Sequence, residues 1–150
     1  MKYYEAPDAY LPSGSASVFL AGGITGCPDW QREATELLAG DDVVVLNPRR
    51  ERSVGVEAVA EQIAWEFAHL RRASLVLFWF PVSVESVQPI ALYELGMHVG
   101  LGTRIVVGAD RSYIRRLDVE LQLALARPGL PVCDSLTDTV QAAREALKAG

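Results

Sequence analysis

Five short apolar runs punctuate the chain, and longer amphipathic stretches fill the gaps between them. Val18–Ala21 (VFLA), Val43–Leu46 (VVVL), Ser74–Phe80 (SLVLFWF), Arg104–Gly108 (RIVVG) and Pro131–Cys133 each read as a strand. Such runs, rich in β-branched and aromatic residues and without alternation, mark strands covered on both faces. The intervening stretches carry helical spacing. One helix opens at Cys27-Pro28-Asp29-Trp30 and ends near Ala39-Gly40, with Asp29 placed to cap it. Val56 to Leu70 is the next, and its apolar stripe of Val56, Val59, Ala60, Ile63, Phe67 and Leu70 is expected to face the core. Its second stripe, Gln62, Trp65, Glu66 and His69, is expected off the core, with Trp65 at a subunit interface or a cleft wall. A third helix starts between Ser86 and Pro89. A fourth covers Ser112 to Ala126, with Ile114, Leu117, Leu121 and Leu125 inward, and a last one follows a Ser135–Asp138 capping box.

Strict β-α alternation implies an α/β domain with a parallel sheet, right-handed crossovers and helices on both faces. Five strands fit a doubly wound, flavodoxin-like order 2-1-3-4-5, whose ligand crevice lies between the first and third strands. The loops after those two strands are Gly22 to Asp29 and Pro81 to Gln88. Residues 1–17 read as an extended lead-in, residues 18–150 as a single domain, and Arg50 to Val56 as a mobile loop.

Candidate chemistry gathers at that crevice. From Ser86 through Thr103 the only carboxylate is Glu94, set in an otherwise apolar helix. A buried carboxylate is costly unless it is paired or hydrogen-bonded. It is either a structural group satisfied by neighbours or a nucleophile kept ionised near a helix N-terminus. Gly22-Gly23-Ile24 lacks the dinucleotide fingerprint, but two glycines at a strand end let a ligand approach the backbone. Asp29 serves as a cap, a ligand contact, or both. Asn47, opening Asn47-Pro48-Arg49-Arg50, suits a polar loop lining a site.

Composition narrows the options. A net charge of −5 and a pI near 5.0 argue against a duplex nucleic-acid partner. Cys27 and Cys133 stand alone, without metal-ligand or disulfide spacing, which fits a reducing cytoplasm. His69 and His98 also lack ligand spacing and read as structural. No apolar run reaches membrane-span length. No metal or cofactor is expected.

The segments FLAGGITGCPDW, NPRR, QIAWE, the LFWFP strand end and PIALYELG together resemble the nucleoside 2-deoxyribosyltransferase-like family, its small bacterial branch in particular. The resemblance runs from about Val18 to about Leu125. It implies a flavodoxin-like fold and a homo-oligomer, a dimer or larger, in which a neighbour helps close the site. It implies that the Glu of the YELG motif, Glu94, attacks C1′ of a nucleoside or nucleotide and forms a glycosyl-enzyme. The sugar then passes to another base or, in the hydrolase branch acting on nucleoside 5′-monophosphates, to water. Gly22, Gly23, Ile24, Asn47, Pro81 and Gln88 fall among substrate-binding positions, and Tyr93 is a candidate to orient Glu94. Ser74 and Gln88 stand where the resemblance places aspartates. Gln88 can hydrogen-bond a sugar hydroxyl or a phosphate but cannot act as an acid or base, so proton donation falls to Asp29 or a water, or is absent. The alternative is a nucleotide-binding module without catalysis.

Overall fold

The computed structural model describes residues 1–50 and 55–149. Six strands form one parallel sheet: β1 (Lys2–Glu5), β2 (Ser17–Gly22), β3 (Val44–Asn47), β4 (Leu75–Phe80), β5 (Ile105–Ala109) and β6 (Val132–Cys133). Their order is β1-β3-β2-β4-β5-β6. The five expected strands take the expected doubly wound arrangement. The sixth is Lys2–Glu5 from the lead-in, which extends the sheet by pairing in parallel with β3. Of the loop expected at Arg50 to Val56, residues 51–54 lie outside the described residues.

Five helices cover the sheet: α1 (Trp30–Leu37), α2 (Val59–Arg72), α3 (Pro89–Gly100), α4 (Arg116–Ala126) and α5 (Leu136–Lys148). Successive strand residues point to opposite faces, so β2 and β4 divide their side chains between two cores. Phe19, Ala21, Val76, Phe78 and Phe80 pack under α2, α3 and α4, against Trp65, Leu70, Ala91, Leu95, Val119 and Leu123. Val18, Leu20, Leu75, Leu77 and Trp79 pack on the other side under α1 and α5, against Trp30, Ala34, Leu38, Val140 and Ala143. Asp29 caps α1 by accepting from the Arg32 amide at 3.2 Å, and the Ser135 hydroxyl caps α5 by accepting from the Asp138 amide at 3.1 Å.

Two helices sit the other way round from expectation. In and before α2, Val56, Val59, Ala60, Ile63 and Phe67 are exposed, and of the expected stripe only Leu70 is buried. Trp65 and His69 face inward instead, their rings stacked 4.0 Å apart. The N-terminal segment supplies a partner to each, and His69 Nδ1 donates to the Trp65 carbonyl at 2.7 Å. The Trp65 indole donates to the Asp8 carbonyl at 2.8 Å, and His69 Nε2 accepts from the Tyr10 amide at 3.0 Å. An inward Trp and His are tolerated because the strap over α2 supplies those partners. In α4 and the turn before it, Ile114, Leu117, Leu121 and Leu125 are exposed, while Val119 and Leu123 are buried. Periodicity identified real apolar stripes, but these stripes point straight away from the sheet.

Candidate active site

A cavity of about 640 Å³ opens at the carboxyl ends of β2 and β4, between the β2 loop, α2 and the start of α3. Gly22, Gly23 and Ile24 form one wall, Gln88 and Glu94 another, and Gln62 and Glu66 of α2 a third. The loops after β2 and β4 converge here, as the switch point of such a sheet requires.

The glycines are needed for close packing. Gly22 has φ +155°, and a Cβ there would collide with the Trp79 carbonyl oxygen. A Cβ on Gly23 would collide with the Gln88 carboxamide and lie 2.6 Å from the Cys27 sulfur. Gln88 therefore lies directly on the β2 loop. It holds a left-handed backbone conformation, φ 58° and ψ 54°, at the cap of α3, which a non-glycine residue adopts only under constraint. Its side-chain amide donates to the Pro81 carbonyl at 2.6 Å, tying both ends of the β4–α3 loop together. Its carboxamide oxygen is buried without a partner.

Glu94 is half-buried in the cavity wall, in the second turn of α3. Burial is the first cause that pushes its pKa up, and the nearby Glu66 charge adds to it; together they raise it to about 8. No hydrogen bond or cation among the described residues offsets them. The expectation that the helix N-terminus keeps Glu94 ionised is corrected here. The helix dipole fades beyond the first turn, and desolvation wins. Glu66 is also raised by burial, but a hydrogen bond from Gln62 and the charge of Arg50 pull it back. Two carboxyls facing one cavity thus stand in unlike environments. A single proton on the pair therefore rests on Glu94, the carboxyl without a hydrogen-bond donor or cation among the described residues.

Glu66 is the site residue that sequence reasoning missed. It was on the stripe with Gln62, and the signal was a carboxylate on a face that also carries Trp and His. Conversely, Asp29 and Asn47 lie outside this cavity. They line a separate polar hollow of about 340 Å³ with Tyr3 and Arg49. Asn47 donates to the Tyr3 hydroxyl at 2.9 Å and accepts from the Arg49 amide at 2.9 Å. Tyr93, 68% exposed, is on the outer face of α3. Pro81 is buried behind Gln88. Ser74 sits at the opposite end of β4, where its amide and hydroxyl engage Ser17 at 3.0 Å and 3.3 Å. A strand of this length spans about 20 Å, so Ser74 does not reach the cavity. The basic start of α4 is neutralised internally: Arg111 and Arg116 pair with Asp134, and Arg115 with Asp118. His98 is buried, 2.8 Å from the Thr103 hydroxyl. Among the described residues no group of three His, Cys, Asp or Glu could hold a metal ion.

A doubly wound α/β domain with a carboxyl pair at its switch point is the class of protein that this geometry defines. The family model described as nucleoside 2-deoxyribosyltransferase like matches residues 15–113, and the chain belongs to that family. Among solved structures, the chain is similar to a 2-desoxiribosyltransferase from Leishmania mexicana. The TM-score is 0.59 at 18% identity, covering 87% of this chain and 97% of that one. At that identity the likeness shows the fold. No curated protein matches the chain. No helix among the described residues is long and apolar enough to cross a membrane.

Proposed function

We propose that this protein transfers or cleaves the N-glycosidic bond of a nucleoside through a covalent glycosyl-Glu94 intermediate, with Glu66 as the proton donor. The single observation that carries the reading is the Glu94–Glu66 pair facing one cavity at the switch point. In the first step a Glu94 carboxylate oxygen bonds to C1′. The C1′–N bond breaks, its electron pair leaves with the base, and the Glu66 proton goes to that base. In the second step Glu66 takes a proton from the incoming acceptor, which attacks C1′ and releases the Glu94 carboxylate. A base as acceptor gives transfer, and water gives hydrolysis.

The pair works when it holds one proton. With two protons there is no nucleophile, and with none there is no acid, so the rate is bell-shaped in pH. The described charges lining the cavity are carboxylates, which repel a 5′-phosphate and favour an uncharged nucleoside over a nucleotide. The activity resides in one domain over residues 18–150, to which residues 1–17 add the edge strand β1, the first residue of β2 and the Asp8 and Tyr10 contacts to α2. The two unpaired cysteines suit the cytoplasm.

A homo-oligomer completes this picture. Val59, Ile63 and Ile90 line the cavity and are also exposed, beside Phe67 and Tyr93. Apolar surface of this extent marks an association site, and a second copy packed there shuts the cavity mouth.

A second reading, a nucleoside-binding module without turnover, is favoured by the proton that Glu94 holds near neutral pH. Incubation with a panel of nucleosides and 5′-nucleotides, with and without acceptor base, separates the two. The first reading expects chromatography to show free base from nucleosides, lost in Glu94→Ala and falling as pH passes about 8. Saturable binding without base release, unchanged in Glu94→Gln, establishes the second.

A further inference from the structure

Gln62 spends every hydrogen-bonding group of its side chain. Its carboxamide oxygen accepts from Arg50 Nε at 2.5 Å. Its amide nitrogen donates to the Pro48 carbonyl at 2.7 Å and to Glu66 Oε1 at 2.6 Å. The amide orientation is fixed by chemistry, because a carbonyl and a carboxylate only accept and a guanidinium only donates. Gln62 thus joins the loop after β3 to α2, one turn before Glu66, and carries the influence of a cation to a cavity carboxyl.

We propose that Gln62 is a positioning residue: it occupies Glu66 Oε1, so that Oε2 alone carries and delivers the proton, and with Arg50 it stabilises the carboxylate left behind. The proposal rests on the reading of Glu66 and Glu94 as a working pair. It adds a reason for their division of labour. Both carboxyls are desolvated, yet among the described residues only Glu66 has a donor and a cation behind it. A carboxylic acid whose anion is hydrogen-bonded gives up its proton more readily. Glu66 therefore holds a proton less tightly than Glu94, so the working form, with the proton on Glu66 and Glu94 ionised, is the less populated arrangement of the one-proton pair. In that form Glu66 releases the proton readily, and Gln62 fixes the oxygen from which it departs. Among the described residues, the charged groups around this chain of contacts are Arg50, Glu61, Glu66 and Glu94. Glu61 lies 3.8 Å from Arg50 and faces solvent, so it weakens the cation only slightly.

The test reads the carboxyl directly and needs no turnover. Side-chain carboxyl carbons of labelled glutamate are titrated by NMR in the wild type, Gln62→Met, Arg50→Met and Arg50→Lys. The Glu66 midpoint is expected to rise by about one pH unit in Gln62→Met. It should rise by less in Arg50→Met and stay in place in Arg50→Lys, which keeps the charge. The pH–rate profile should move to higher pH in the same order. A Glu66 midpoint unchanged in a folded Gln62→Met protein overturns the proposal. If Gln62→Met does not fold, equal midpoints in Arg50→Met and Arg50→Lys overturn it. A shifted midpoint in a protein that releases no base keeps the positioning role and removes the catalytic reading. Base release with an unshifted midpoint does the reverse.

Discussion

A carboxyl that keeps its proton to about pH 8 is an acid at rest, and under the proposed mechanism Glu94 must surrender that proton before it attacks carbon. Glu66 lines the same cavity, so in the proposed mechanism it is the group that takes up the proton Glu94 releases. The arrangement costs stability. From about pH 4.5 to about pH 8 the folded protein holds a proton on Glu94 that the unfolded chain has released. Stability contributed by this group is therefore present at low pH and is lost as pH rises across that window. Glu94→Gln removes the loss. It is expected to stabilise the protein by roughly 2–4 kcal/mol at pH 9 and to leave it little changed at pH 4, as read by denaturant unfolding at both values. The same difference at both pH values contradicts the assignment. Glu94 was legible in the sequence because it is the lone carboxylate in an apolar helix. Glu66 was not, because its significance depends on α2 and α3 facing one cavity, which no local pattern records. Asp29 and Asn47 were correctly placed at strand ends, but the ends of neighbouring strands open into two hollows rather than one.

At the scale of elements, α2 shows what periodicity can and cannot decide. A stripe of Val59, Ile63 and Phe67 has the same spacing whether it meets the sheet or another protein surface. The deciding information lies elsewhere, in Asp8 and Tyr10. Their backbone groups give the Trp65 indole and the His69 ring partners, and so let the polar-looking stripe turn inward. The two faces can be told apart by stability. Trp65→Ala is expected to cost about 3–5 kcal/mol, the range for a buried large aromatic. Phe67→Asp is expected to leave the fold intact and to reduce the oligomer measured by light scattering. Equal destabilisation by both, with no change in association, contradicts the inverted orientation. The strands needed no such outside information. Runs such as Val43–Leu46 and Ser74–Phe80 are apolar on both faces, so either orientation buries them.

For the whole molecule, the alternation of strands and helices fixed both the sheet order and the place of the site. The glycine loop after β2 and the Gln88 loop after β4 meet because crossovers to opposite faces separate helices there. Three helices on one face then present an apolar layer to solvent, and the cavity opens through it. The design proposed above is a carboxyl pair in a pocket whose lid is another copy of the same chain. The central claim is the covalent bond to Glu94. The most direct measurement is the mass of the intact protein, acid-quenched after mixing with a nucleoside, followed by peptide mapping. The account predicts a gain of one glycosyl unit on the peptide containing Glu94, absent in Glu94→Ala. Base release without any adduct, or an adduct mapped to another residue, contradicts it.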